Sequence, residues 1–135
     1  MKKVVAMLLA IMCITLLGGC KSETAKDEKL KDLEFTVVES VDEPEQLKTM
    51  IEEKKIQPMK LSYSDGEFLY VVAGYGEQQS GGFSIQVNEF YETANAIYID
   101  TTLIGPGEGD VVTQALTYPY VVIKTEYIDK PIVYN

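Results

Sequence analysis

The sequence predicts a mainly β fold of the α+β class, an antiparallel β-sandwich or half-barrel with one N-terminal helix covering it. Two observations support this prediction. From Pro58 onward, short runs of β-branched and aromatic residues alternate with turn residues, as they do in antiparallel sheets. Only residues 44–55 show the apolar spacing of a helix. A chain of 135 residues is expected to form one folded domain.

Two strands joined by a glycine-rich loop are expected at the centre of this domain. Residues 68–73 have no polar face, which fits a strand that is covered on both sides. Residues 83–88 alternate between apolar and polar side chains, as a strand with one solvated face does. The loop between them contains four glycines, which reach backbone angles that other residues avoid. We expect the domain to pack around this pair and to leave the loop at one end.

The helix and the first hairpin are predicted from local signals. Asp42 and Glu45 have the spacing of a capping box, which predicts a helix start, and the apolar residues of the helix then cover the sheet. Asp65 and Gly66 predict a tight turn between two strands. Strands are expected at residues 34–39, 59–63, 68–73, 83–88, 96–103, 120–124 and 132–134, with a loop at 105–110 and an ambiguous segment at 111–116.

The first 19 residues have the features of an export signal. Lys2 and Lys3 precede an uncharged apolar run, and Leu-Gly-Gly-Cys closes it at Cys20. This ending resembles the lipobox of bacterial lipoproteins, in which the cysteine is lipidated and becomes the new N-terminus. The alternative, a retained transmembrane anchor, requires about 20 apolar residues, and the run here is shorter. We therefore expect an extracytoplasmic lipoprotein, anchored on the cell surface or the periplasmic side.

The chain beyond the signal is divided by its charge and composition. Residues 20–32 are polar and mixed in charge, which predicts a tether, and residues 33–135 form the predicted domain. The chain has a net charge of −9, and removal of the signal leaves 10 lysines against 21 acidic residues. Such a surface repels phosphate backbones and anionic lipid headgroups, so we expect no nucleic-acid partner. Contact with the membrane is expected to come from the lipid.

The sequence is poor in catalytic chemistry. It contains no histidine and no arginine, Cys13 is lost with the signal, and Cys20 is consumed by the lipid. Histidine-based acid–base catalysis, Ser-His-Asp triads, His-ligated zinc and thiol nucleophiles are therefore excluded. We predict a protein that is not an enzyme and has no cofactor and no metal.

Carboxylates leave two alternatives open. Glu77 with Glu89, or Asp100 with Glu108, could form the acid pair of a glycoside hydrolase, although a solvated surface explains such numerous acids more simply. Glu108 and Asp110 could bind calcium, but they lack a regular spacing of oxygen ligands.

Short motifs connect the predicted loop to a known family. They are Tyr70-Val71-Val72, Gly76-Glu77, the segment Ser-Gly-Gly-Phe-Ser-Ile at 80–85, Gly105-Pro106-Gly107, and Thr-Tyr-Pro-Tyr at 117–120. Together, residues 60–124 resemble the C-terminal domain of the PrcB-type lipoproteins, a family named after a lipoprotein subunit of a bacterial surface protease complex. The resemblance implies an accessory subunit that binds or stabilises a protein partner, with a protease as the expected partner.

A second resemblance supports a second hypothesis, that of a protease inhibitor acting through residues 77–83. Residues 78–83 are similar to the Asn-Pro-Thr-Thr-Gly-aromatic loop that chagasin-type inhibitors insert into cysteine proteases. The loop here keeps a hydroxyl, a glycine and the aromatic Phe83, but it lacks the proline and has an additional glycine. A glycine-rich loop loses more conformational entropy on binding, which argues against direct inhibition.

The predicted partner-binding site is therefore the loop, with two further functions open. Its residues are Gly76, Glu77, Gln78, Gln79, Ser80, Gly81, Gly82 and Phe83. The glycines could instead only allow two strands to turn, with Phe83 in the core. A small ligand or carbohydrate is another alternative. An aromatic contact surface, competing with core packing, is proposed for Tyr75, Tyr91, Tyr118 and Tyr120.

Overall fold

A computed structural model of the chain describes residues 27–135 and contains two four-stranded sheets and one α-helix. Sheet A has the order β1-β5-β6-β8, and sheet B has the order β2-β7-β4-β3. The elements are β1 Lys29–Asp32, β2 Thr36–Val37, α1 Glu45–Lys54, β3 Pro58–Ser64, β4 Phe68–Tyr75, β5 Ser84–Thr93, β6 Ile97–Ile104, β7 Tyr120–Glu126 and β8 Ile132–Tyr134. All neighbouring strands are antiparallel except β6 and β8. The predicted mainly β fold with one helix is confirmed, in the form of a sandwich.

Strand β4 is covered on both faces, as its apolar sequence predicts. Leu69, Val71 and Ala73 point into the core between the two sheets. Tyr70 and Val72 point to the opposite face of sheet B, where they pack against Leu47 and Ile51 of α1. Residues 27–135 therefore form three layers, sheet A, sheet B and the helix, and β4 lies in the middle layer.

Strand β5 has one solvated face, which confirms the second central strand. Ser84, Gln86 and Asn88 are exposed, whereas Ile85 and Val87 are half-buried against the core between the sheets. The residues of 76–83 connect β4 to β5 and lie at the end of the sandwich where β4 finishes and β5 begins. The loop therefore lies at one end of the domain, as the sequence predicted.

The first described residues differ from the predicted tether. Residues Lys29–Asp32 form strand β1, which pairs with β5 at the edge of sheet A. Before it, the carboxylate of Asp27 accepts hydrogen bonds from Thr93, from Asn95 Nδ2 at 3.0 Å and from the Tyr98 hydroxyl at 3.3 Å. The side chains of β1 are all exposed, so backbone pairing holds this strand without an apolar pattern in its sequence. The rest of the predicted tether, the signal peptide and Cys20 lie outside the described residues.

The segment between β1 and the helix is also less regular than predicted. The strand expected at 34–39 is reduced to Thr36–Val37, because the chain there leaves sheet A and joins the edge of sheet B. Helix α1 lies within one residue of its predicted bounds, but its N-cap residue is Pro44 and no side chain caps it. The predicted capping box is wrong, since Asp42 belongs to a short 3-10 turn instead.

A buried carboxylate, that of Glu43, directly precedes the N-cap residue of the helix. Glu43 is 6% exposed, and it accepts a hydrogen bond of 3.0 Å from the hydroxyl of Tyr120. Burial raises the pKa of Glu43 above its ordinary value of 4.5, and the hydrogen bond from Tyr120 opposes this rise only in part. Burial and the neighbouring carboxylate raise the pKa of Tyr120 to about 12.

This carboxylate is expected to make the stability of the protein fall as the pH rises through the range directly above 4.5. In that range the folded state binds the Glu43 proton more tightly than the unfolded state, so deprotonation favours unfolding. Glu43→Gln should remove this part of the pH dependence, and urea unfolding at a series of pH values measures it. The exposed Glu53→Gln is the control. If the free energy of unfolding changes with pH equally in the parent protein and in Glu43→Gln, the prediction is contradicted.

Candidate functional site

The glycine-rich loop is held in place by a distant part of the chain. Gln78 and Thr117 exchange two backbone hydrogen bonds of 2.8 and 3.0 Å, and Gly81 N donates to Thr113 O at 2.9 Å. The hydroxyl of Thr117 also donates to the carbonyl of Ser80 at 2.6 Å. Residues 76–83 and 105–119 thus form one surface, which we call the loop end. The loop motifs that carried the family resemblance lie together on it.

Two glycines of the loop are required by the backbone itself. Gly76 and Gly82 have φ values of +77° and +87°, which side chains disfavour. A Cβ atom on Gly82 would lie 2.6 Å from Val112 Cγ1, and one on Gly76 would lie 3.1 Å from the backbone nitrogen of Pro58. Gly82 therefore allows close packing of the two loops, and Gly76 allows close packing against Pro58. Because the loop is already packed, it loses less conformational entropy on binding than its glycine content alone would predict.

The eight predicted site residues differ in what they present to solvent. Glu77, Gln79 and Gly82 are exposed, while Gly76 is buried. Gln78, Ser80, Gly81 and Phe83 are half-buried. Phe83 lies against the second loop, because a Cβ atom on Gly105 would be 3.3 Å from its Cε1 atom. Only Glu77 and Gln79 are therefore free to offer exposed side chains to a partner.

Four aliphatic residues of this end were not predicted as site residues. Val111 is 100% exposed, and Ile56, Leu116 and Ile104 are 55%, 49% and 43% exposed. Ile56 adjoins the loop because its carbonyl accepts from Glu77 N at 3.1 Å. The available signal was that Val111 and Leu116 are apolar residues in a segment without helical or strand periodicity.

The charge of the loop end is negative. Residues 76–83 and 105–119 contain three carboxylates and no lysine. Glu108 is exposed, whereas Asp110 Oδ2 accepts from Gly107 N at 2.7 Å and stabilises its own turn. The Nζ atom of Lys55, which lies outside these loops, is 5.3 Å from the ring centroid of Tyr118. The hydroxyl of Tyr118 donates a hydrogen bond of 3.4 Å to Glu77 Oε1.

Asp100 and Asp110, two of the carboxylates named for catalysis or calcium, have hydrogen-bond partners within the fold. Glu89 and Asp100 are cross-strand neighbours on β5 and β6, and Asn88 donates to Asp100 at 3.3 Å. Asp110 is engaged with the backbone of Gly107. Among residues 27–135, no group of three or more acidic, cysteine or histidine side chains is arranged to hold a metal ion.

The four tyrosines proposed as an aromatic surface are dispersed, so that prediction is wrong. The hydroxyl of Tyr75 bonds Thr101 at 2.6 Å between the sheets, and Tyr120 reaches Glu43 below the helix. Tyr91 stacks on Tyr98 with ring centroids 5.2 Å apart. Only Tyr118 lies in the loop end, because Tyr75, Tyr91 and Tyr120 belong to three different strands.

A groove of about 1060 Å³ lies at the other end of the sandwich. Its lining includes Phe35, Phe68, Lys124, Glu126 and Tyr127. The ammonium group of Lys124 is 4.0 Å from the ring centroid of Phe68, which is a close cation–π contact. The sequence did not predict this groove. In the part of the chain that the structure describes, no helix is long and apolar enough to cross a membrane.

Comparison with known proteins identifies the segment that contains the loop end. Residues 69–126 match the family model described as PrcB C-terminal. This segment is therefore similar to PrcB C-terminal domains. It comprises nearly all of β4 and the whole of β5, β6 and β7, so both paired loops belong to it. Searches of curated proteins and of solved structures found no significant match.

Proposed function

We propose that this protein is a lipid-anchored, non-enzymatic accessory subunit that binds a protein partner outside the cytoplasm, and that the partner is a secreted or surface protease. The lipid is attached at Cys20, and the partner contacts residues 76–83. The match of residues 69–126 to the PrcB C-terminal family, which is named after a subunit of a protease complex, supports this association. The absence of histidine and arginine from the sequence supports a binding role over catalysis.

The observation that carries the proposal is the pairing of the two loops. Hydrogen bonds from Gln78, Gly81 and Thr117 join segments that are far apart in the chain. A surface that is already ordered loses little conformational entropy when a partner binds. The paired loops are ordered and contain no recognisable catalytic group. We therefore interpret them as a binding surface.

The test is a pull-down of the tagged, lipidated protein from detergent-solubilised native membranes, analysed by mass spectrometry. One secreted protease should be enriched, and Glu77→Ala/Gln79→Ala should lower its recovery by about tenfold, as truncation of central interface residues does. Both side chains are exposed, so the fold should persist. Ser62→Ala/Glu67→Ala, which replaces two exposed residues outside the loop end, is the control. Absence of any enriched protease, or equal recovery by both variants, would overturn the proposal.

Direct inhibition is the second candidate, because residues 78–81 are held by the neighbouring loop. The two functions are separated by adding the purified protein to the recovered protease with a peptide substrate. An accessory subunit leaves turnover unchanged or raises it. An inhibitor lowers turnover, and Glu77→Ala/Gln79→Ala relieves the inhibition.

A further inference from the structure

The loop end exposes more aliphatic surface than its fold requires. Val111 is fully exposed, and Leu116 and Ile104 are about half exposed on the same end of the sandwich. Single exposed aliphatic residues are normal on protein surfaces. Several of them beside a paired, ordered loop indicate a surface that another molecule covers.

The same end carries negative charge without compensating lysines in its loops. Glu77 and Glu108 are exposed, and residues 76–83 and 105–119 contain no basic residue. Lys55, which lies outside these loops, is placed over the ring of Tyr118. An acidic partner would be repelled here, whereas a basic one would be attracted before contact.

We propose that the loop end binds a partner segment that is both basic and apolar. Its lysine or arginine side chains approach Glu77 and Glu108, and its aliphatic or aromatic side chains cover Val111 and Leu116. This inference rests on the proposed function, and it adds the chemistry by which the partner is recognised. Charge complementarity selects the partner and orients it, while the aliphatic contacts supply most of the affinity.

The probes for the test are two labelled peptides of equal length with Gly-Ser spacing. One contains three lysines and three leucines, and the other has glutamates in place of the lysines. Binding to the purified, lipidated protein in a nonionic detergent is followed by fluorescence anisotropy. The lysine peptide should bind at least about tenfold more tightly than the glutamate peptide, and added salt should weaken it because exposed charges are screened.

Three variants locate the binding. Val111→Ser/Leu116→Ser and Glu77→Gln/Glu108→Gln should each weaken the lysine peptide by about tenfold, the effect of losing a central contact. Leu30→Ser is the control, because Leu30 is 62% exposed on strand β1, outside the loop end. Since detergent micelles are common to all samples, binding to them is the same for every variant. Unchanged circular dichroism spectra confirm that each variant is folded.

Two results would overturn the inference. They are equal affinity for both peptides, and equal weakening by Leu30→Ser and by the loop-end variants. The proposed function is tested separately. If Val111→Ser/Leu116→Ser recovers a protease as well as the parent protein does, the proposed basic and apolar recognition is contradicted, while the accessory role stands. If the lysine peptide is preferred and no protease is recovered, the proposal of a protease partner is contradicted, while the basic and apolar recognition stands.

Discussion

Replacing Ile123 with alanine is expected to lower the free energy of unfolding by about 2–5 kcal/mol, the range for large-to-small changes in a packed core. Ile123 is 0% exposed and lies opposite Val71 in the pairing of β4 with β7. It faces Phe90, Ile97 and Ile99 in the core between the sheets. Neighbouring strands fix the backbone on both sides, so the cavity cannot collapse fully.

Chemical denaturation measures this loss, with Ile56→Ala as the matched control. Ile56 is 55% exposed, so the same substitution there should cost less than about 0.5 kcal/mol. The midpoint should shift for Ile123→Ala while the dependence on denaturant stays the same. A cost for Ile123→Ala no larger than that for Ile56→Ala would show that β7 is not at the centre of the fold.

Replacing Cys20 with serine is expected to release nearly all of the protein from the membrane fraction. Under the proposed function, the thiol of Cys20 forms the thioether bond to the lipid, and serine cannot form that bond. Acyl chains contribute about 0.8 kcal/mol for each buried methylene group, so they dominate attachment. Residues 20–135 contain 10 lysines against 21 acidic residues, so they gain no electrostatic attraction to anionic lipids.

Cell fractionation followed by immunoblotting detects this change, and a labelled fatty acid shows whether lipid is attached. Cys13→Ser is the matched control, because Cys13 lies inside the predicted signal and should be dispensable. Retention of Cys20→Ser in the membrane fraction, without fatty-acid label in the parent protein, would favour a retained transmembrane anchor.

The parts of the fold with local signals could be predicted from the sequence. The two apolar faces of β4 are visible in residues 68–73, because strand residues alternate between faces. The hairpin turn is determined by Asp65, whose carboxylate accepts from Phe68 N at 2.7 Å and from Glu67 N at 3.0 Å. In each case, neighbouring residues determine the structure.

Features that depend on distant partners could not be predicted. Strand β1 has four exposed side chains, so its pairing with β5 leaves no apolar pattern. Thr117 and Ser80 are 37 residues apart, and nothing local indicates that they meet. The placement of Glu43 under the helix likewise requires Tyr120 from β7. As a result, the glycine-rich loop was predicted as a site, while the aliphatic half of the surface was missed.

The hydrogen bonds of Asp27 with Thr93 and Asn95 fix where the described part of the chain begins on the domain. This contact lies at the far end of β5 from residues 76–83, and the eight-residue strand β4 separates the two ends by about 26 Å. If a lipid is attached at Cys20, as proposed, the loop end would lie on the side of the domain away from the bilayer. A bound protease would then be held above the headgroup layer with room for its own substrates, and confinement to the surface would raise its local concentration without any additional contact.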